Sequence, residues 1–412
     1  MGLIFRLAWR NIWRHPRRAG LTLAAIIFSD LILVFMMGVQ LGQYDLMIKN
    51  TLNTFTGEIQ IQEKDYRAKA SIHDSVKNAS TIAEKIRQLL HSNGVTVRAQ
   101  AFALVSSAKR SYGTEIVGIQ PDTESQVSRI PKMLVAGKYL NDQDYDQAII
   151  GSVLARNLKL ELGDEITVLG AGKDGSVAAA IFKIKGIMTS NIQELDRHMV
   201  QIPLTAFQDT FAMGGDAHAI VINAGSLESI SANIKKIQQA LPELSNQKNL
   251  RVIGWETLET GLKQAIQADF TSGWFMYSIL VLIVVFSVLN TFLMSVLERT
   301  HEFGVMLSLG LTPARLGAWV MWECSVLALL GMLLGLAIGV LFTLYFNING
   351  FTYPGVEEMA KQYQMSTTIY PIITPTTVLL GPCIIFIATL IAAIFPALRL
   401  RRLKPIAAMN AV

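Results

Sequence analysis

The sequence predicts an α-helical membrane protein with four transmembrane helices and a large mixed α/β extracytoplasmic domain between the first and second helices. Three observations carry that expectation. Of the 412 residues, 51% are hydrophobic and only 16% charged. The apolar residues gather into four long runs, Leu21–Leu41, Trp274–Leu297, Leu316–Phe346 and Thr376–Ala397, each reaching the about 20 residues that cross a hydrocarbon core. Between the first two runs lies a long polar interval with short helical and strand-like patterns, which must fold outside the lipid.

Residues 1–20 are expected to form a cytoplasmic interfacial helix, because Leu3, Leu7, Ile12 and Trp13 alternate with arginines and Pro16 closes the pattern. The first transmembrane helix, 21–45, reads as a retained anchor. Its run is long for a signal peptide, and no small-residue cleavage site follows. Arg6, Arg10, Arg14, Arg17 and Arg18 precede it, while Arg399, Arg401, Arg402 and Lys404 follow the last run, with no acidic residue in either tail. By the positive-inside rule both termini are cytoplasmic and the large domain lies outside. That domain is nearly neutral, with 24 Lys and Arg against 25 Asp and Glu between Gln43 and Ser272. The basic excess therefore sits beside the membrane, where it suits anionic headgroups; no basic patch interleaved with aromatics points to nucleic acid.

The extracytoplasmic α/β domain, 46–270, is expected to open with a helix prolonging the first span and the strand "EIQIQ", whose alternation fits a half-buried sheet. Helices follow at "STIAEKIRQLLHSNG" and "LESISANIKKIQQAL". Strands are expected at "AFALVSSAK", "TEIVGIQ", "QAIIGS", "DEITVLG", "AAIFKIKGIM", "HMVQIPL" and "AHAIVINA". The return segment "GWETLETGLKQAIQADFTSGW" reads as one helix running into the second transmembrane helix, 271–297, so both connections to the membrane are expected to be stiff. Then come a cytoplasmic helix at 298–315, a third transmembrane helix at 316–346, a short extracytoplasmic loop at 347–371, a fourth transmembrane helix at 372–397 and a cytoplasmic tail at 398–412. Cys324 and Cys383 both fall in apolar runs, leaving the outer domain without a disulfide.

Tests for chemistry return little. "GAGKDG", Gly170 to Gly175, matches G-x-G-x-x-G after a strand, but another strand follows where a phosphate-binding site needs a helix N-terminus, so a hairpin turn is expected. Asp174 stands where a Walker A motif needs Ser or Thr, and Thr167 where it needs its first glycine. The six histidines show no metal-binding spacing, and Asp196 beside His198 reads as a strand-end hydrogen bond. Two acids lie within the apolar runs, Asp30 and Glu323. They must face protein or water, either as a polar lining or as interhelical hydrogen bonds to a group such as Asn290.

The segment "ERTHEFGVMLSLGLTPARL", Glu298 to Leu316, reads as an amphipathic helix of about four turns. Phe303, Met306, Leu307 and Gly310 recur at spacings of three and four, and Pro313 follows the glycine.

These features together resemble the four-span permeases of ABC transporters that include the macrolide-exporter, lipoprotein-releasing and FtsX-type proteins. The loop resembles their E-R-x-x-E-x-G-x-x-x-x-x-G signature, through Glu298, Arg299, Glu302, Gly304 and Gly310. The tail "PALRLRRLKPIAAM" is similar to their P-A-x-x-A-x-x-x-x-P-x-x-A-L ending, with Leu400 and Met409 departing from it. "GKYLNDQDYDQAIIGSVLARNLKLELGDEITV" looks like their G-R-x-L, I-G-x-x-L-A and G-D run. "FKIKGIMTSNIQELDRHMVQIPLTAFQDTFAM" looks most like the lipoprotein-releasing branch. The hairpin that recruits a periplasmic chaperone in one member of that branch is only a short turn here.

The resemblance implies a permease that performs no bond chemistry, needs no cofactor of its own and works with a separate ABC ATPase in two copies, which holds ATP and Mg. It implies a second permease, identical or homologous, contact with membrane lipid and with a lipoprotein or a periplasmic protein, and a place in the bacterial inner membrane with the large domain periplasmic. The loop is then the coupling helix. Glu298, Arg299, Glu302, Phe303, Gly304, Met306, Leu307, Leu309 and Gly310 would couple to the ATPase, with Phe303 at the centre of the docking face, so that Phe303→Glu would lose the ATPase while leaving folding intact. A substrate path is expected along Asp30, Phe35, Met36, Met37 and Asn290, between the first span of one permease and the second of its partner. The substrate is a hydrophobic envelope molecule, with lipoprotein the first reading; an adaptor-dependent efflux permease and a non-transporting FtsX-type regulator are the alternatives. A membrane-anchored receptor is the reading from a different class.

Overall fold

The computed structural model describes residues 16–190, 192–225, 227–245, 247–352 and 368–400; of the interfacial helix and cytoplasmic tail expected from the sequence, only 16–20, which open the first long helix, and 398–400 lie among these. Two compact units form. A helical unit takes the described residues of Met1–Tyr44, Ala265–Tyr353 and Thr368–Val412, and an α/β unit runs from Asp45 to Gln264.

Among the described residues four helices are long and apolar enough to cross a membrane. In chain order they are Pro16–Thr51, Thr260–Glu298, Pro313–Asn349 and Pro375–Arg399, here called the first to fourth long helices. All four outrun their apolar runs at both ends, the fourth by only one or two residues, because the flanking residues keep helical propensity until a stop arrives. Pro313 and Pro375 open the third and fourth at positions where a missing N–H costs nothing, and Thr374 adds a capping box to the fourth. The first and third helices meet along Gly331, Gly335 and Gly339. A Cβ added at these positions would press on Ile26, Asp30 and Val34 respectively. Small residues at a four-residue spacing thus let two backbones approach closely.

The α/β unit is built on a ten-stranded sheet. Strands β1 (Ile59–Glu63), β2 (Val95–Ser106), β9 (Ala219–Ile222) and β10 (Leu250–Gly254) lie in the order β10-β1-β9-β2 with antiparallel neighbours. Helix Ala79–Leu90 joins β1 to β2, and helix Leu227–Leu244 lies between β9 and β10. The result is the interleaved pair of βαβ crossovers of ferredoxin-like folds. Ile82, Ile86, Ile230 and Ile237 from the helices pack with Ile59, Ile61, Val97 and Ile220 from the sheet in one buried core.

Between β2 and β9 the chain makes a second lobe. It comprises β3 (Ser111–Ile119), β4 (Leu134–Gly137), β5 (Gln147–Gly151), β6 (Glu165–Ala171), β7 (Val177–Met188) and β8 (Met199–Pro203). Pairing runs from β2 through β3, β8, β5, β7 and β6 back to β2, a closed ring that leaves no free edge within itself. Val105, Ile116, Ile150, Val168, Phe182 and Phe211 are buried in it. The long strand β2 serves both lobes, pairing with β9 through Val95–Arg98 and with β6 through Leu104–Ser106.

Every strand the sequence predicts is present, and the structure adds β4 and β10 in the α/β unit, besides a two-residue antiparallel pair, Phe351–Thr352 with Thr368–Ile369, in the helical unit. Strand β4 is only four residues long, and β10, "LRVIG", carries an arginine on a sheet edge. The return segment is not one helix. Trp255–Leu258 ends at Glu259, whose ψ of 63° leaves the helical region, and the second long helix starts afresh at Thr260.

Candidate functional site: the loop between the second and third long helices

The second long helix carries Glu298 at its end, and Arg299 is the N-cap of a separate nine-residue helix, Thr300–Ser308. This helix is shorter than the four turns expected. It stops because Gly310 takes a left-handed φ of 92°, after which Pro313 starts the third long helix. The loop helix is indeed amphipathic, but its apolar face turns onto its own helical unit. Phe303 is 0% exposed and packs with Val296, Leu316 and Val320, while Met306 and Leu307 are partly buried against the same cluster. Gly304 is buried as well. The expectation that Phe303 faces a partner is therefore corrected: an apolar stripe marks a buried face without saying which chain buries it. The uncovered side carries His301, Glu302, Val305, Ser308, Leu309 and Gly310, with Leu309 78% exposed.

Arg299 is buried too, although the sequence places it among the docking charges. Its guanidinium lies 4.9 Å from the Phe303 ring centroid and 5.3 Å from that of Trp319. Its Nη1 donates to Oε1 and Oε2 of Glu323 at 3.4 and 3.3 Å, and its Nε to Glu302 Oε2 at 3.3 Å. Glu323 is thus neither a path lining nor a hydrogen-bond partner of Asn290; it is half of a buried ion pair 24 residues apart in sequence.

The five path residues do not converge on one cavity within the chain. Asp30 is fully buried against Gly335, and among the described residues neither of its oxygens has a hydrogen-bond partner. Phe35 joins an aromatic cluster with Phe342, Phe346 and Phe351, at centroid distances of 5.0, 5.4 and 5.5 Å. Met36 is half-buried, and Asn290 is exposed on the second long helix. Met37 lines an apolar crevice of about 330 Å³ together with Leu33, Trp274, Tyr277, Val281 and Ile384. Beside it lies a polar knot that the sequence did not signal. Tyr277 donates to Gln40 Oε1 at 2.8 Å, Tyr44 to Asp269 Oδ2 at 2.6 Å, and Gln40 to the same oxygen at 3.3 Å.

In the α/β unit, "GAGKDG" is the β6–β7 hairpin turn, closed by Gly172 N–H donating to Ser176 O at 2.8 Å. Its lysine is occupied structurally: Lys173 Nζ donates to Ser75 Oγ at 2.8 Å and to Asp216 Oδ2 at 2.5 Å. Asp196 accepts from Ser190 and Thr189 rather than from His198. Two buried polar groups were not legible. Arg98 of β2 pairs with Glu124 through Nε–Oε2 at 3.0 Å and Nη2–Oε1 at 2.6 Å, and also donates to the Phe55 carbonyl. His218 is held between Gln100 and Ile72. Among the described residues no group of three or more His, Cys, Asp or Glu is placed to hold a metal ion.

Comparison with known proteins gives these features a context. Residues 274–405 match the profile of the FtsX-like permease C-terminal domain, and residues 19–240, more than half the chain, that of the MacB-like periplasmic core domain. The lipoprotein-releasing system transmembrane protein LolC of Neisseria meningitidis serogroup B is 21% identical over 400 residues, covering 93% of this chain and 94% of that protein. The uncharacterized ABC transporter permease YknZ of Bacillus subtilis is 22% identical, covering 81% of this chain and 84% of that one. A macrolide export ATP-binding/permease protein MacB of Campylobacter jejuni is 22% identical over 98% of this chain, which spans 61% of that longer protein. Among solved structures, the periplasmic region of MacB from Actinobacillus actinomycetemcomitans aligns with a TM-score of 0.38 and 13% identity, over 52% of this chain and 95% of that one.

Proposed function

We propose, for a chain that belongs to the FtsX-like and MacB-like family of ABC transporter permeases, that it couples ATP hydrolysis by a separate ATPase subunit to the export or extraction of a hydrophobic envelope substrate, in the first instance a lipoprotein. Its four long helices would lie in the inner membrane with both termini cytoplasmic and the α/β unit in the periplasm, and two permeases would work with two ATPases. One observation carries the coupling reading: the loop helix is fixed to its own helical unit by its inner face and leaves Glu302, Val305 and Leu309 uncovered. An exposed leucine at the end of a short, well-anchored helix suits a pocket on a partner. A face meant only to rest on lipid would not need Phe303 and Arg299 pinned beneath it.

The lipoprotein reading draws on the LolC relative, whose length this chain nearly matches. The equally similar macrolide export protein supports efflux as a second reading. The β6–β7 turn is too short to act as a capture hairpin, so a periplasmic chaperone would have to be met elsewhere.

The test is capture of an ABC ATPase by the tagged full-length chain from its own membranes. Leu309→Glu should leave the chain at normal levels, since the side chain is exposed. It should lower ATPase retention by about thirtyfold or more, the effect of removing a hot spot worth about 2 kcal/mol. The purified chain alone should show no ATP turnover. Unchanged retention in Leu309→Glu would remove the loop from the interface, and bound lipid or lipoprotein identified in the same preparation would separate the two substrates.

A further inference from the structure

The loop signature holds three charges, Glu298, Arg299 and Glu302, that a docking helix would ordinarily spend on its partner. Glu298 and Glu302 are exposed, but Arg299 is not available. The Arg299 and Glu323 side chains are each 7% exposed, and the guanidinium is enclosed by the rings of Phe303 and Trp319. Trp319 and Glu323 lie four residues apart on the third long helix, so both reach one face of its opening turns. Arg299 stands before the loop helix, and its two partners stand after it. The pair therefore closes the loop into a staple: the first residue of the loop is tied to the third long helix beyond the point where the loop has already become that helix.

A buried ion pair is a poor device for stability, since apolar residues of the same size do as well or better. What it supplies is a fixed orientation, because the planar guanidinium accepts few geometries against a carboxylate and two rings. We propose that Arg299 and Glu323 are a positioning pair, the joint through which displacement of the loop is passed to the third long helix, and that Arg299 makes no contact with the ATPase. The proposal rests on the coupling reading above and deepens it. Load on the exposed ridge at Val305 and Leu309 leaves by the second long helix through Glu298 and by the third through this joint and the packing of Phe303 on Leu316 and Val320 beside it. Apolar packing alone can slide, and without the joint's fixed orientation the left-handed turn at Gly310 would absorb the movement.

The experiment uses the permease–ATPase complex in native membranes, with a spin label on Ile348→Cys in the last turn of the third long helix, where the side chain is 76% exposed, and Cys383 replaced by alanine. Arg299→Met combined with Glu323→Leu keeps the volume and removes both charges. It should capture the ATPase within twofold of wild type, while the change in label mobility between nucleotide-free and ATP-bound complexes falls at least tenfold. If the double variant does not accumulate, Glu323→Gln keeps the shape and is read in the same way. Loss of ATPase capture in the variant would make Arg299 a docking residue and overturn the joint. An unaltered nucleotide-dependent label change would reduce the pair to a packing feature and overturn it equally. Failure of the wild-type chain to capture any ATPase is distinguishable from both, and would overturn the coupling reading and the joint with it.

Discussion

His218 should make the α/β unit lose stability as pH falls. The ring is fully buried, stacked on Tyr66 at 5.0 Å and edge-on to Phe207 at 6.4 Å. Its Nδ1 accepts the Gln100 N–H at 2.9 Å, so the proton sits on Nε2, which donates to Ile72 O at 3.2 Å. A second proton would set N–H against N–H. Burial first, and nearby Lys173 second, push the imidazole down from 6.5 to about 4. As pH falls through that window the unfolded chain takes up a proton that the folded chain refuses, so stability is lost between about 6.5 and 4 and is unaffected above it. The difference corresponds to about 3 kcal/mol. Glu58 and Glu115 act in the opposite sense, because burial raises both carboxyls and the folded chain holds their protons longer. The wild-type curve alone is therefore a sum of opposing effects. His218→Gln isolates one of them, since an amide can accept from Gln100 and donate to Ile72 without titrating. Hydrogen exchange of the β2 and β9 amides gives the opening free energy of the full-length chain. Wild type minus variant should fall by about 3 kcal/mol between pH 7 and pH 4. An unchanged difference across that range would refute the assignment of the neutral, Nε2-protonated ring.

Glu124→Gln should destabilise the α/β unit by about 3–5 kcal/mol by leaving the Arg98 charge buried and unpaired, whereas Arg98→Met with Glu124→Leu should recover most of that in a thermal melt. Gly335→Val should lower the melting temperature of the detergent-solubilised chain, because a Cβ there meets Asp30 Cβ at 2.6 Å and Oδ2 at 2.8 Å; overpacking of this kind costs about 1–3 kcal/mol. Gly20→Ala, with nothing within 4 Å, is the control and should not lower it. Gly310→Ala should cost about 1–2 kcal/mol by forcing a side chain into left-handed backbone, read as faster hydrogen exchange confined to the loop. Phe303→Glu should abolish accumulation of the chain rather than only its partner binding, since the ring is fully buried within its own unit.

The reach of sequence reasoning here follows from the range of the forces involved. The long helices and most strands were legible because apolar periodicity is local: Leu316–Phe346 or "DEITVLG" carries its own signal. The closed ring of strands was not, because closure depends on β6 meeting β2 across some 60 residues, which no periodicity records. The same limit explains Lys173: the hairpin turn around it was legible, but not that Asp216 and Ser75 hold the lysine. The loop helix shows a subtler failure. Its amphipathic pattern was real, and the error lay in assigning the apolar face to a partner. One signal could have corrected this. Glu323 lies inside an apolar run, where an unpaired carboxylate is costly, so it demanded a cation at the same depth. The third long helix begins at Pro313, which places Glu323 about three turns in, and the only Lys or Arg residues between the second and third apolar runs are Arg299 and Arg315. Arg315 lies eight residues back on the same helix, some 12 Å along its axis, and points its side chain further away. Arg299, at the end of the preceding helix, could fold back and lay its apolar stem along the bundle. A charge that the bilayer forbids thus names its partner, and the partner in turn fixes which face of the loop is left uncovered.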